Sequence, residues 1–239
     1  MNAFIKLFEG EIKRMVSYKI LPVALGTSLI WVAIFALMSG EEARRFASLL
    51  LYMDSGLMSL LLAGAFHHLE RTDGTVKTML VLPVPTGVIL LAKALAAAAL
   101  GLLSALVVSL SLLFLHGIRM NYPLLALFTL LTAAAHAGIG LALALRSRDF
   151  SATLGLVMLF MMISLLPVLL EFAGVIPKSF SWTVLLSPSG AATAALDYAA
   201  GNTSDQTRAA LGAAWLALIA LTLYRFPVLR LFRRHACVE

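Results

Sequence analysis

The chain has 239 residues, 61% of them hydrophobic and 13% charged. Soluble domains are nearer about 50% apolar and about 25% charged, so these proportions place the chain in the membrane class. The net charge of +6 is scattered among short loops, which reads as membrane topology and excludes a nucleic-acid footprint. A single cysteine, Cys237, rules out an internal disulfide, and no cysteine cluster suggests a metal. The first twenty residues mix charges with apolar positions, so no secretory signal peptide is expected.

The chain opens with NAFIKLFEGEIKRMVSYK, in which Phe4, Phe8, Ile12, Met15 and Val16 recur at helical spacing between charges. Residues 1–20 are therefore predicted to form an amphipathic helix lying in the membrane interface. Six apolar runs follow at 21–38, 46–66, 88–115, 123–145, 152–172 and 209–226. Each is close to the roughly 20 residues a membrane helix needs. An all-α protein of six spans follows, with 1–239 read as one membrane domain. The longest piece between spans, 173–208, is too short for a soluble catalytic domain. It is moderately apolar and broken at Pro177 and at Ser187-Pro188-Ser189-Gly190, which predicts two short helices dipping into the outer leaflet. With the N-terminus inside, the inner segments carry 13 Lys or Arg and the outer ones 5. That bias predicts cytoplasmic termini.

Between the second and third spans lies ERTDGTVKTMLVLPVPTG, residues 70–87. Thr72 or Asp73 can cap a short helix whose first turn holds Gly74. Val76, Met79 and Leu80 then share an apolar face, and Pro83 and Pro85 stop the helix before the chain re-enters the membrane. A short helix with an apolar face beneath a membrane bundle suits docking of a partner.

The pattern Glu70-x-x-Asp73-Gly74-Thr75-x-x-x-x-Leu80-x-x-Pro83, with Lys93 ten residues on, resembles the first cytoplasmic loop of type-2 ABC exporter permeases of the drug or small-molecule export type. The order of elements along the whole chain is similar too. The resemblance implies that 70–87 is a coupling helix seated in a groove of an ATP-binding subunit, with Glu70, Asp73, Gly74, Val76, Met79, Leu80 and Pro83 as the coupling residues. It implies a dimer of permeases, homo- or heteromeric, with two separate ATPase subunits. It also implies a small amphipathic substrate, export over import, and the bacterial cytoplasmic (inner) membrane. The chain has no G-x-x-x-x-G-K-[ST] and no Gly-Lys pair, so no cofactor is expected on it. ATP and Mg would belong to the partner, and the chain itself is not expected to be an enzyme.

Ionisable residues at membrane depth are costly and default to functional candidates. Asp54 and His136 fall near the middle of the second and fourth spans, and Glu171 closes the fifth. The functional reading makes them contacts along a substrate pathway, and the alternative has each satisfied by a neighbouring helix. Ala134, Gly138 and Ala142 form a small-residue stripe for close helix approach. Pro167 should kink the fifth span. Three other functions stay open: a haem-exporter permease of cytochrome c maturation, an intramembrane enzyme and a structural anchor. The haem-exporter permease has a similar coupling loop but is not associated with a long broken segment like 173–208. An enzyme would need catalytic residues paired at matched depth, and an anchor has little use for a coupling segment.

Overall fold

The computed structural model describes residues 2–238, without the side chains of Asn2, Leu80, Lys178 and residues 233–238. The expectations placed on the side chains of Leu80 and Cys237 therefore lie outside the described residues.

All regular elements among the described residues are helical. Helix α1 (Asn2–Ser17) precedes α2 (Ile20–Leu37) and α3 (Gly40–Tyr52), and a π-helical turn (Met53–Leu57) leads straight into α4 (Met58–Thr72). A short α5 (Thr75–Leu80) is followed by α6 (Thr86–His116), α7 (Tyr122–Ala144) and α8 (Phe150–Phe172). A 3-10 stretch (Lys178–Leu186), α9 (Pro188–Ala199), α10 (Gln206–Arg225) and α11 (Pro227–Val238) complete the chain. Six helical stretches are long and apolar enough to cross a membrane: Ile20–Leu37, Gly40–Thr72, Thr86–His116, Tyr122–Ala144, Phe150–Phe172 and Gln206–Phe232. The second is much longer than the expected 46–66. Its charged first turn, Glu41 and Glu42, is held helical by a capping box in which Ser39 and Glu42 satisfy each other's backbone N–H groups.

Polar caps set most of the other boundaries. Asn121, Asp149, Ser187 and Asp205 each accept a backbone N–H at the start of α7, α8, α9 and α10. Ser187 thus divides 173–208 into a 3-10 stretch and a helix, at the break the Ser-Pro pair marks. Helix α9 is buried along most of its length, with Ser189 to Ala192 enclosed. Helix α8 continues through Pro167 as one helix.

The spans alternate in direction, so residues 2–19, 70–87, 146–149 and 225–238 gather at one end of the bundle. Most lysines and arginines lie at this basic end. Helices α4 and α7 form the tightest seam. A Cβ on Gly140 would sit 2.0 Å from the Leu60 carbonyl oxygen, so only glycine permits this approach. In the expected stripe, Gly138 faces Tyr224 of α10, and Ala142 is buried with Leu141, Leu145 and Val228. Helix α1 lays Phe8, Ile12 and Met15 against Leu62, Phe66, Ala96 and Leu100 of the bundle.

Candidate functional site

Helix α4 ends at Thr72, and Asp73 is its C-cap. Gly74 then takes φ 69° and opens α5 with no side-chain cap. This corrects the expectation that Thr72 or Asp73 caps the helix with Gly74 inside its first turn. Gly74 is the left-handed hinge between two helices, a conformation that costs glycine little. Asp73 instead accepts a 2.6 Å hydrogen bond from the Tyr18 hydroxyl, tying the α1–α2 junction to the loop. Burial and the neighbouring Asp73 carboxylate push the Tyr18 phenol above its ordinary range.

The apolar face of α5 is already covered within the chain, contrary to the expectation of an exposed docking face. Val76 is 7% exposed and Met79 3%. Val76 packs with Leu90, Leu141, Val228 and Phe232, so α11 and the bundle occupy the place reserved for a partner. The loop's outward surface begins one turn later. Val81 is 82% exposed, and Leu82 and Pro83 follow it on the surface.

Glu70 also lies inside, 1% exposed, and not on the loop's surface. Its carboxylate pairs with Lys93 of α6. The Lys93 ammonium lies 3.1 Å from Glu11 of α1 and 5.0 Å from the centre of the Phe66 ring. Arg14 completes the group, 2.6 Å from Glu11 and 3.4 Å from Glu70. The Arg14 nitrogens reach the acids by proximity of charge without aligned hydrogen bonds. Two acids and two bases give no net charge, which is how Glu11, Glu70 and Lys93 can leave solvent beside a half-buried Arg14. The cluster joins α1, α4 and α6 directly behind the 70–87 loop. Sequence reasoning named Glu70 and Lys93 but missed Glu11 and Arg14. The signal for Glu11 was its place between Phe8 and Met15 on the apolar face of α1, where an unpaired carboxylate would be costly.

The three residues expected along a pathway are not brought together. Asp54 is fully buried in the π-helical turn. Its Oδ2 accepts a 2.8 Å hydrogen bond from Ser28 of α2, while Oδ1 has no partner among the described residues. His136 is also fully buried. Its Nδ1–H donates to the Thr132 carbonyl at 2.8 Å, which leaves Nε2 of a neutral ring to accept from Tyr52 at 3.1 Å. The Tyr52 oxygen then accepts from Ser189 at 2.5 Å, and Ser189 from Ser164 at 2.6 Å. That chain fastens α3, α7, α8 and α9 together. Glu171 stands at the opposite end of the bundle, 2.6 Å from Arg208. With Arg45, Asp197 and Arg208 it lines a cleft of about 220 Å³. In this conformation only Glu171 of the three faces open space.

Six apolar helical spans, a buried ionic cluster and a surface loop at the basic end define a multi-pass, all-α membrane protein. The family model described as ABC-2 type transporter matches residues 2–199. The chain belongs to that family and is the membrane permease of an ABC transporter. Comparison with curated proteins gave no match.

Proposed function

We propose that this permease is the membrane subunit of an ATP-driven exporter, forming a substrate path as a dimer and coupled to two separate ATP-binding subunits. The observation that carries the reading is the exposed apolar tip Val81-Leu82-Pro83, set on a loop whose root is braced by the Glu11–Arg14–Glu70–Lys93 cluster. A braced lever with an apolar tip suits a partner that pushes from below. The loop 70–87 is the coupling segment in this reading. Val81, Leu82 and Pro83 make the contact, Val76 and Met79 hold α5 to the bundle, Gly74 and Asp73 set its angle, and Glu70 anchors it.

Export of a small amphipathic molecule, ATP and Mg on the partner, the inner membrane and cytoplasmic termini belong to the same proposal. The enclosed α9 and the 3-10 stretch before it act as re-entrant helices near the exit. Glu171 belongs to that exit, and Asp54 and His136 lie deeper along the wall of the path. The test is capture of partners by the tagged chain from mild detergent. A captured protein with a phosphate-binding loop and ATP hydrolysis is expected. Capture of none, with the chain intact and folded, overturns the reading.

A further inference from the structure

At the basic end, Arg146, Arg225 and Arg230 are exposed. Among the described residues they make neither an ion pair nor a side-chain hydrogen bond. Two concave surfaces lie beside them. One, of about 350 Å³, is lined by Arg146, Phe226, Pro227, Arg230 and Leu231. The other, of about 410 Å³, runs along the membrane face between α6, α7 and α10, with Arg225 at its rim. Gly87, Ala94, Ala134 and Ala220 are small enough to leave its floor hollow, and Leu91 and Leu221 stand among its walls. Among the described residues, no acidic side chain lines either surface.

From this arrangement we infer a binding site for an anionic phospholipid, with an acyl chain in the groove and the phosphate on Arg225. An apolar hollow at membrane depth is filled by hydrocarbon, since water there would find no polar partners. A guanidinium at its mouth matches a phosphate in shape and charge. Arg146 and Arg230 set the selectivity. They add positive potential around the headgroup, which attracts a net anion and repels the cation that a choline headgroup carries. The helix break at Phe226, the C-cap of α10, falls between Arg225, which lines the groove, and Arg230, which lines the neighbouring hollow with Arg146. Charge complementarity and the apolar lining together favour a lipid over an acidic protein face, which would match the arginines but leave the groove empty.

The test measures lipid retention by native mass spectrometry. The purified full chain is exposed to phosphatidylglycerol and phosphatidylcholine with identical acyl chains. Preferential retention of phosphatidylglycerol is expected, falling about fivefold for Arg225→Gln. Arg146→Gln and Arg230→Gln should reduce the preference further. Ala220→Leu fills the groove without touching a charge and should lower retention of both lipids. If Arg225→Gln does not fold, the wild-type preference and the Ala220→Leu loss decide the question. Equal retention of the two lipids by the wild type overturns the proposal. So does a folded Arg225→Gln variant that keeps phosphatidylglycerol but loses an acidic partner protein.

Discussion

Glu70 and Lys93 lie 23 residues apart and meet in a contact closed to solvent. Glu70 lies in the last turn of α4 and Lys93 at the end of the second turn of α6, so their pairing clasps the two ends of the loop between them. Removing one partner leaves the rest of the cluster charged, at a cost of about 3–5 kcal/mol for a buried pair. Glu70→Gln and Lys93→Met should each lower thermal stability sharply. The double variant leaves Glu11 with Arg14 and should cost clearly less than the two losses added. Additive losses, measured by size-exclusion melting curves, would mean the two charges are not coupled.

Tyr52 is the middle of the chain from His136 to Ser164. Tyr52→Phe keeps the ring and deletes the hydroxyl, leaving His136 Nε2 without its donor and the Ser189 hydroxyl, still held by Ser164, without its acceptor. A loss of about 1–3 kcal/mol is expected. If His136 serves a substrate and not the fold, the melting temperature should stay unchanged while substrate preference moves.

Asp54 has one donor for two buried oxygens. An uncompensated carboxylate is expensive away from water, and an amide oxygen can still accept from Ser28. Asp54→Asn should therefore be as stable as the wild type or more so. Export assays across several amphipathic compounds read its role: a changed preference places it on the path, and unchanged export removes it.

Gly74 has open space around its Cβ position, so its constraint is backbone conformation and not crowding within the chain. Asn tolerates the left-handed region, whereas a β-branched residue is a strong outlier there. Gly74→Asn should support transport and Gly74→Val should not. Equal loss from both would point to close contact by a partner at this position.

The spans were legible because a lipid-facing helix must be apolar for about 20 residues, and few other structures need that. The boundary of the second span was not, because Gly40–Tyr52 is amphipathic and its helicity comes from the Ser39 capping box and packing against α9. The π-helical turn at Asp54 leaves no periodic trace in a uniformly apolar run. At the loop, periodicity placed Val76 and Met79 on one face of α5, and both are buried. It could not say what covers that face: Val76 looks the same under α11 as it would under a second protein. Glu11 was readable in principle, as a charge on the apolar side of α1, but its partners are brought to it by the tertiary fold.

In the proposed complex the tip of the loop, and not the buried face of α5, meets the ATP-binding subunit. A photo-reactive residue placed at Val81, Leu82, Val76 or Met79, one at a time, tests it in the assembled complex. Cross-links to the ATP-binding subunit are expected from Val81 and Leu82, and cross-links within the chain from Val76 and Met79. Capture of that subunit from Val76 or Met79, with none from Val81 or Leu82, contradicts the claim.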